Sequence, residues 1–203
     1  MLAGYTQDRF GVIKQINPPT FNYGKKYHDN LLSRGEGNTR MAYLRYGYMM
    51  GVIEQTPNSL LEVGFGDGEF LKVCKQNISR CYGNDLYKPT LPDGCGFVEN
   101  ITDGSYDVVC FFDSLEHFHN IDFLGDLKCG YICLSTPNCL YLSDKWFESW
   151  YHRKPDEHIF HFNLASLTKL FRYLGYGLMA YSHIENTIRK NGENTLTTIF
   201  KRL

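Results

Sequence analysis

The sequence predicts an α/β fold built on a mostly parallel sheet. Short apolar runs alternate with helical stretches from residue 59 onward, and the first run stops at a glycine turn that opens into a helix. The 203 residues are 43% hydrophobic and 15% aromatic, enough to fill one core with little left for a second. The chain therefore reads as one domain, 1–203: an extended arm (1–36), a capping helix (37–55) and a core (58–203) whose residues 138–162 form a lid.

The arm carries Pro18-Pro19 and the scattered aromatics Phe10, Phe21 and Tyr23, with no sustained period. Met41, Leu44, Tyr48, Met49 and Ile53 then mark one face of an amphipathic helix that precedes the sheet as a cap. Ser59 to Val63 is the first strand, and Glu69 to Gln76 the helix after its turn. Cys81 to Leu86 reads as a second strand ending in an acid, Cys95 to Glu99 as a third, and Tyr106 to Phe112, rich in Val and Phe, as a fourth. Gly130 to Ser135 is the fifth. A helix from Leu164 to Leu174 ends at Gly175, and Tyr176 to His183 with Thr195 to Lys201 make a terminal pair.

Only eight residues, Tyr87 to Gly94, separate strands two and three, and only six, Asn100 to Ser105, separate three and four. A parallel crossover needs about a dozen residues to carry a helix. Helices between strands 2-3 and 3-4 are thus expected to be reduced or absent. Cover for the apolar face they leave is expected from the N-terminal arm or from a second subunit, as in a homodimer.

The 21 basic and 22 acidic residues give a net charge of −1, which excludes the strong positive field of a duplex nucleic-acid binder. Met1 to Phe10 has neither a basic nor an apolar signal region, and no stretch approaches the ~18 apolar residues of a membrane span. A cytoplasmic protein with no membrane partner is expected. Seven cysteines, at 74, 81, 95, 110, 129, 133 and 139, are spread through strands and helices as reduced thiols are. Cys129, Cys133 and Cys139 fit no familiar zinc spacing.

The chemistry begins at Glu62-Val63-Gly64-Phe65-Gly66-Asp67-Gly68. Three alternating glycines between a buried strand and a helix let a ligand approach bare backbone, where a Cβ is expected to collide with it, and aim a helix N-terminus at it. A nicotinamide fingerprint requires a third glycine at position 69, but that residue is Glu69.

This loop, with Gly83-Asn84-Asp85-Leu86, Tyr106-Asp107-Val108-Val109 and Gly175-Tyr176, resembles the class I S-adenosylmethionine methyltransferases, in order over about residues 58 to 183. The resemblance implies a Rossmann-like, doubly wound, mostly parallel seven-stranded sheet with an antiparallel terminal strand. It implies S-adenosyl-L-methionine as methyl donor and S-adenosyl-L-homocysteine as product. It places Glu62 near the cofactor's cationic methionine end, lines methionine and ribose with the loop Gly64, Phe65, Gly66 and Gly68, and gives Asp85 the two ribose hydroxyls. Leu86, Glu99 and Asn100 fall where family members meet the adenine.

Past strand four, Asp113-Ser114-Leu115-Glu116-His117-Phe118-His119 lies where such a sheet places its ligand crevice. If the stretch is helical, Asp113, Glu116 and His117 share a face at i, i+3 and i+4. The Glu116-His117 pair resembles that of the ubiquinone-pathway O-methyltransferases. The acid-x-x-Glu-His pattern resembles the metal motif of small-RNA 3′-terminal methyltransferases, with His158 or His161 as the further ligand and Asp113 standing where that motif has Glu. His117 as a metal-free general base is favoured over a divalent metal here. Between residues 138 and 162, Tyr141, Trp146, Phe147, Trp150 and Tyr151 interleave with Lys145, His152, Arg153, Lys154 and His158. That composition suits an anionic or aromatic small-molecule substrate. His28 and His183 lack a local constellation and are read as structural. Besides small-molecule O- or N-methylation, an RNA-terminus activity with a divalent metal and a catalytically inactive cofactor-binding partner subunit stand as alternatives.

Overall fold

The computed structural model describes residues 1–18, 20, 24, 33, 35–88, 90–189 and 194–203. Pro19, Phe21, Tyr23, His28 and Pro89, which entered the reading of the sequence, lie outside the described residues.

Helix α1 (Glu36–Val52) leads into strand β3 (Ser59–Val63), helix α2 (Glu69–Cys74) and strand β4 (Arg80–Asn84). Strands β5 (Gly96–Phe97), β6 (Ser105–Phe112) and β7 (Lys128–Pro137) follow, then helix α3 (Asp144–Ser149), strand β8 (Phe160–His161), helix α4 (Leu164–Tyr173) and strands β9 (Tyr176–Ser182) and β10 (Thr195–Arg202). A hairpin of β1 (Tyr5–Gln7) and β2 (Ile13–Gln15) precedes them. Seven strands form one sheet in the order β5-β4-β3-β6-β7-β10-β9. β5, β4, β3, β6 and β7 pair in parallel, and β10 runs antiparallel between β7 and β9. The expected mostly parallel seven-stranded α/β sheet is therefore what forms.

All five residues of β3 are buried, because both faces of the sheet are covered. Leu61, Val63, Val109 and Phe111 meet Leu167, Leu170 and Phe171 of α4 on one face. Leu60, Val108, Cys110 and Phe112 meet Ala42 and Met49 of α1 and Phe70, Leu71 and Val73 of α2 on the other. Each such side chain contributes about 1.5–3 kcal/mol by leaving water. The alternation of faces is why these strands read as continuous apolar runs. Asn163 and Ser166 close a capping box at the start of α4, and Gly175 ends it in the left-handed region at φ +86°.

Among the described residues no helix occupies either short crossover, as their lengths required. The third strand shrinks to Gly96–Phe97. Cover beside β4 and β5 comes from half-buried Leu91, Cys95 and Phe97 on one face and Tyr82 and Val98 on the other. Residues 19, 21–23, 25–32 and 34 of the arm expected to cover this face lie outside the described residues. The arm's residues 5–15 form the β1–β2 hairpin, whose second strand pairs with β8, Ile13 opposite His161. Val12 joins the core at 1% exposure, and Phe10 packs on Tyr173 of α4 with ring centroids 5.2 Å apart. All seven cysteines are free and all but Cys95 are buried, and no helix among the described residues is long and apolar enough to cross a membrane.

Candidate active site

The strand order reverses between β3 and β6, and a cavity of about 600 Å³ opens at the carboxyl ends of these two strands, the usual ligand crevice of such a sheet. One end is the glycine loop. Gly64, Gly66 and Gly68 all have positive φ (+78°, +55° and +76°). The need for glycine at two of them is internal rather than at the ligand: a Cβ on Gly64 would stand 2.6 Å from Cβ of Ser114, and one on Gly68 3.0 Å from Pro92. Ser114 is drawn that close because its hydroxyl donates to the Val63 carbonyl at 2.7 Å. Bare backbone thus locks β3 to the start of the turn after β6.

Asp85 stands just past β4. One of its oxygens accepts the Gly66 N–H at 3.0 Å and the other the Tyr87 N–H at 3.1 Å. Each keeps a further lone pair for a ligand hydroxyl. Glu62 is buried with one oxygen unpartnered, and burial pushes its carboxyl well above the usual range, offset in part by Arg45. Phe65 lines the cavity but is 3% exposed, its ring edge-on to Phe97. Leu86 lies at the cavity with 84% exposure. Glu99 and Asn100 do not line it: Glu99 pairs with Lys88 and Asn100 hydrogen-bonds Asp103. From α1, Asn38 holds Asp67 and Thr39 donates to Glu69 at 2.7 Å, tying the helix to the loop.

The other end is the turn after β6. It is a single 3-10 turn, Leu115–His117, rather than a helix, so Asp113, Glu116 and His117 do not share a face. Asp113 sits in the left-handed region at φ +54° and turns toward Arg45 and Arg189, whose guanidinium charges hold its carboxyl below the usual range despite burial. Glu116 and His117 instead meet His158, with one ligand atom from each within 4.8 Å of the others. His117 Nδ1 lies 3.0 Å from the Glu157 carbonyl and His158 Nδ1 2.7 Å from the His152 carbonyl. A carbonyl only accepts, so both protons sit on Nδ1 and both Nε2 atoms carry lone pairs. Burial lowers His117 below the usual imidazole range and His158 to about 2, so both rings are neutral at pH 7. Glu116 is 1% exposed with one unpartnered oxygen, and burial, then Asp113, pushes its carboxyl up to about 8. His161 is elsewhere, packed among Tyr5, Phe147 and Trp150.

Tyr151, His152, Lys154 and Glu157 complete this end, with Lys154 3.2 Å from Glu157. Reading the sequence missed the floor between the two ends, where Arg45 bonds both oxygens of fully buried Glu185 at 2.9 Å, Asp113 at 2.6 Å and Ser135 at 3.3 Å. One signal existed: Arg45 lies four residues after Met41 and four before Met49, a charge on the apolar face of α1. Nothing local marks Glu185 or Arg189.

A family model described as a methyltransferase domain matches residues 41–180. No curated protein matches the sequence. Among solved structures, a methyltransferase in complex with the Trm112 activator of Haloferax volcanii is 14% identical, with TM-score 0.63 over 87% of this chain and 94% of that one. The 1,6-didemethyltoxoflavin N1-methyltransferase of Burkholderia thailandensis, with S-adenosylhomocysteine bound, is 15% identical, with TM-score 0.59 over 98% and 99%. The magnesium protoporphyrin IX methyltransferase of Synechocystis, also with S-adenosylhomocysteine bound, is 15% identical, with TM-score 0.59 over 83% and 84%. The glycine loop, the reversal of strand order and the family match agree, and the chain belongs to the methyltransferase-domain family of S-adenosylmethionine-dependent enzymes.

Proposed function

We propose that the protein methylates an oxygen or nitrogen of a small-molecule acceptor held beside His117, with Glu62, Gly64, Gly66, Gly68, Asp85 and Leu86 on the cofactor. The observation that carries the reading is the single cavity running from the glycine loop to the Glu116–His117–His158 cluster. When bound, the cofactor supplies an electrophilic methyl group on a sulfonium. The chain's part is to align the acceptor in line with it and to exclude water. With the methyl group passing to the acceptor, His117 Nε2 would take up the proton that the acceptor gives up. Two structural neighbours named for small-molecule acceptors support this choice of substrate class. The Glu116-His117 pair keeps the likeness to ubiquinone-pathway O-methyltransferases. Tyr151 and Lys154 suit an aromatic or anionic acceptor under a lid formed by 138–162. The expected result is heat on titration with S-adenosylhomocysteine, lost in Asp85→Ala, and transfer of labelled methyl to a small molecule. An unchanged titration in Asp85→Ala would overturn the cofactor assignment.

A second reading rests on the same cluster. Glu116, His117 and His158 fit a divalent ion: the Nδ1 protons are fixed by carbonyls, and the buried carboxylate oxygen has no other partner. Asp113 is spent on arginines and His161 is distant, so three ligands remain. A bound ion would polarise the acceptor and displace His117 from base to ligand. Calorimetry with Mn²⁺ decides: heat lost in His158→Ala favours the ion, and silence favours the base. An RNA-terminus acceptor would require that ion and more clustered cations than a net charge of −1 offers.

A further inference from the structure

Four charges meet under the cavity. Arg45 arrives on α1; Glu185 sits on the short 3-10 turn Ile184–Thr187 between β9 and β10, with Arg189 just beyond it; and Asp113 opens the turn after β6. Glu185 is fully buried and grips both guanidiniums, accepting from Arg189 at 2.6 and 3.1 Å as well as from Arg45. The same oxygen of Asp113 accepts from Arg45 and from Arg189. Two positive and two negative charges balance.

The position of Asp113 gives the network its consequence. It precedes Ser114, Glu116 and His117, and its backbone occupies a region that non-glycine residues seldom adopt. Local preference does not hold it there. The rest of the turn is pinned from outside: Ser114 to the Val63 carbonyl, the Glu116 carbonyl to the Ile159 N–H at 2.8 Å, and His117 to the Glu157 carbonyl. Of these tethers, only the Asp113 side chain reaches the segment that leads into β10.

We infer that Arg189 is a positioning residue for the acceptor turn: acting through Asp113, it holds Glu116 and His117 in register with the cofactor end of the cavity. The inference rests on the methyl-transfer reading, since it assigns Arg189 a part in that site. Arg189 makes no claim on the methyl group itself. It fixes where the turn begins.

The test uses Arg189→Met, which keeps most of the bulk without the charge, and Arg189→Lys, which keeps the charge without the fork. S-adenosylhomocysteine is titrated into each, and the ring signals of His117 are read by NMR on protein labelled with ¹⁵N-histidine. In Arg189→Met the affinity is expected to stay within about threefold of the parent while the His117 signals move or double. With any acceptor the parent turns over, kcat is expected to fall about 10- to 100-fold with little change in KM for the cofactor. Arg189→Lys is expected to lie between. His117 signals in Arg189→Met that coincide with the parent's would overturn the inference, as would coincident signals in Arg189→Lys should the methionine variant fail to fold. Failure of the underlying reading looks different: the parent itself would then give no heat with S-adenosylhomocysteine.

Discussion

The two ends of the cavity are built in different ways. At the cofactor end the shape is made by backbone: three glycines in the left-handed region, a carboxylate gripping one loop N–H, and a serine wedged where no Cβ fits. At the acceptor end it is made by side chains from residues 113–118 and 151–158: Asp113 and His117 are held by guanidiniums and a carbonyl 40 to 76 positions distant in sequence, and His158 by the His152 carbonyl. The first construction leaves little room for a Cβ at Gly64 or Gly68. The second can be rebuilt residue by residue while the first stays fixed, which is how one fold serves many acceptors.

That contrast breaks most visibly at His117. Replacing it with alanine removes the proposed proton acceptor and leaves the glycine loop untouched. Turnover is expected to fall about 10²–10⁴-fold, with cofactor affinity retained, as read by single-turnover transfer of labelled methyl beside calorimetry. Equal loss of both would mean that the two ends are not independent. The converse probe is Gly64→Ala. Its Cβ meets Ser114 at 2.6 Å on a backbone at φ +78°, and strain and overpacking together cost about 2–5 kcal/mol in thermal or denaturant unfolding. Because Ser114 begins the acceptor turn, this variant is expected to lose both activities. Gly64→Ala/Ser114→Gly, which vacates the colliding methylene, is expected to recover part of the stability.

The difference in construction also decides what could be read from the sequence. The seven strands, α1, α2 and α4 follow from apolar runs, helical periods and a glycine stop, all local signals. The loop Gly64, Gly66 and Gly68 with Asp85, which hydrogen-bonds the Gly66 N–H, was legible as a local arrangement for the same reason, since its spacing lies along the chain. The turn after β6 was not. Its seven residues permit a helix, but the turn is held from outside by partners far off in sequence: Arg45 and Arg189 on Asp113, the Val63 carbonyl on Ser114, the Ile159 N–H on the Glu116 carbonyl and the Glu157 carbonyl on His117. The β1–β2–β8 sheet escaped similarly: its strands are two or three residues long, too short for a period to appear, and β8 pairs with β2 from about 150 positions away. Glu99 and Asn100 were placed by likeness to the family. In the structure Glu99 pairs with Lys88 and Asn100 with Asp103, and neither is among the residues lining the cavity.

The buried imidazoles and the buried carboxyls of Glu62 and Glu116 respond to pH with opposite signs, and His161 offers the finest test. Its ring packs edge-on against Phe147, and burial, with Arg153 nearby, lowers it to about 3 from an ordinary 6.5. An imidazole whose folded-state value is depressed binds its proton more tightly when unfolded. Stability present above about pH 6.5 is therefore lost as the pH falls toward 3, at up to ~1.4 kcal/mol per pH unit. Glu62 at the cofactor end runs the other way: its raised value means that the folded form takes up the proton first, so its contribution declines as the pH rises from the usual carboxylate range. Whole-protein curves mix the two, but a difference curve does not. His161→Phe fills the same aromatic niche without a titrating group. The gap in unfolding free energy between variant and parent, from urea melts at pH 7, 6 and 5, is expected to shift in the variant's favour by about 1 kcal/mol for each unit below 6.5. A gap that stays constant over that range would mean that His161 is hydrated or partnered, and that its packing against Tyr5, Phe147 and Trp150 is looser than that behind the glycine loop.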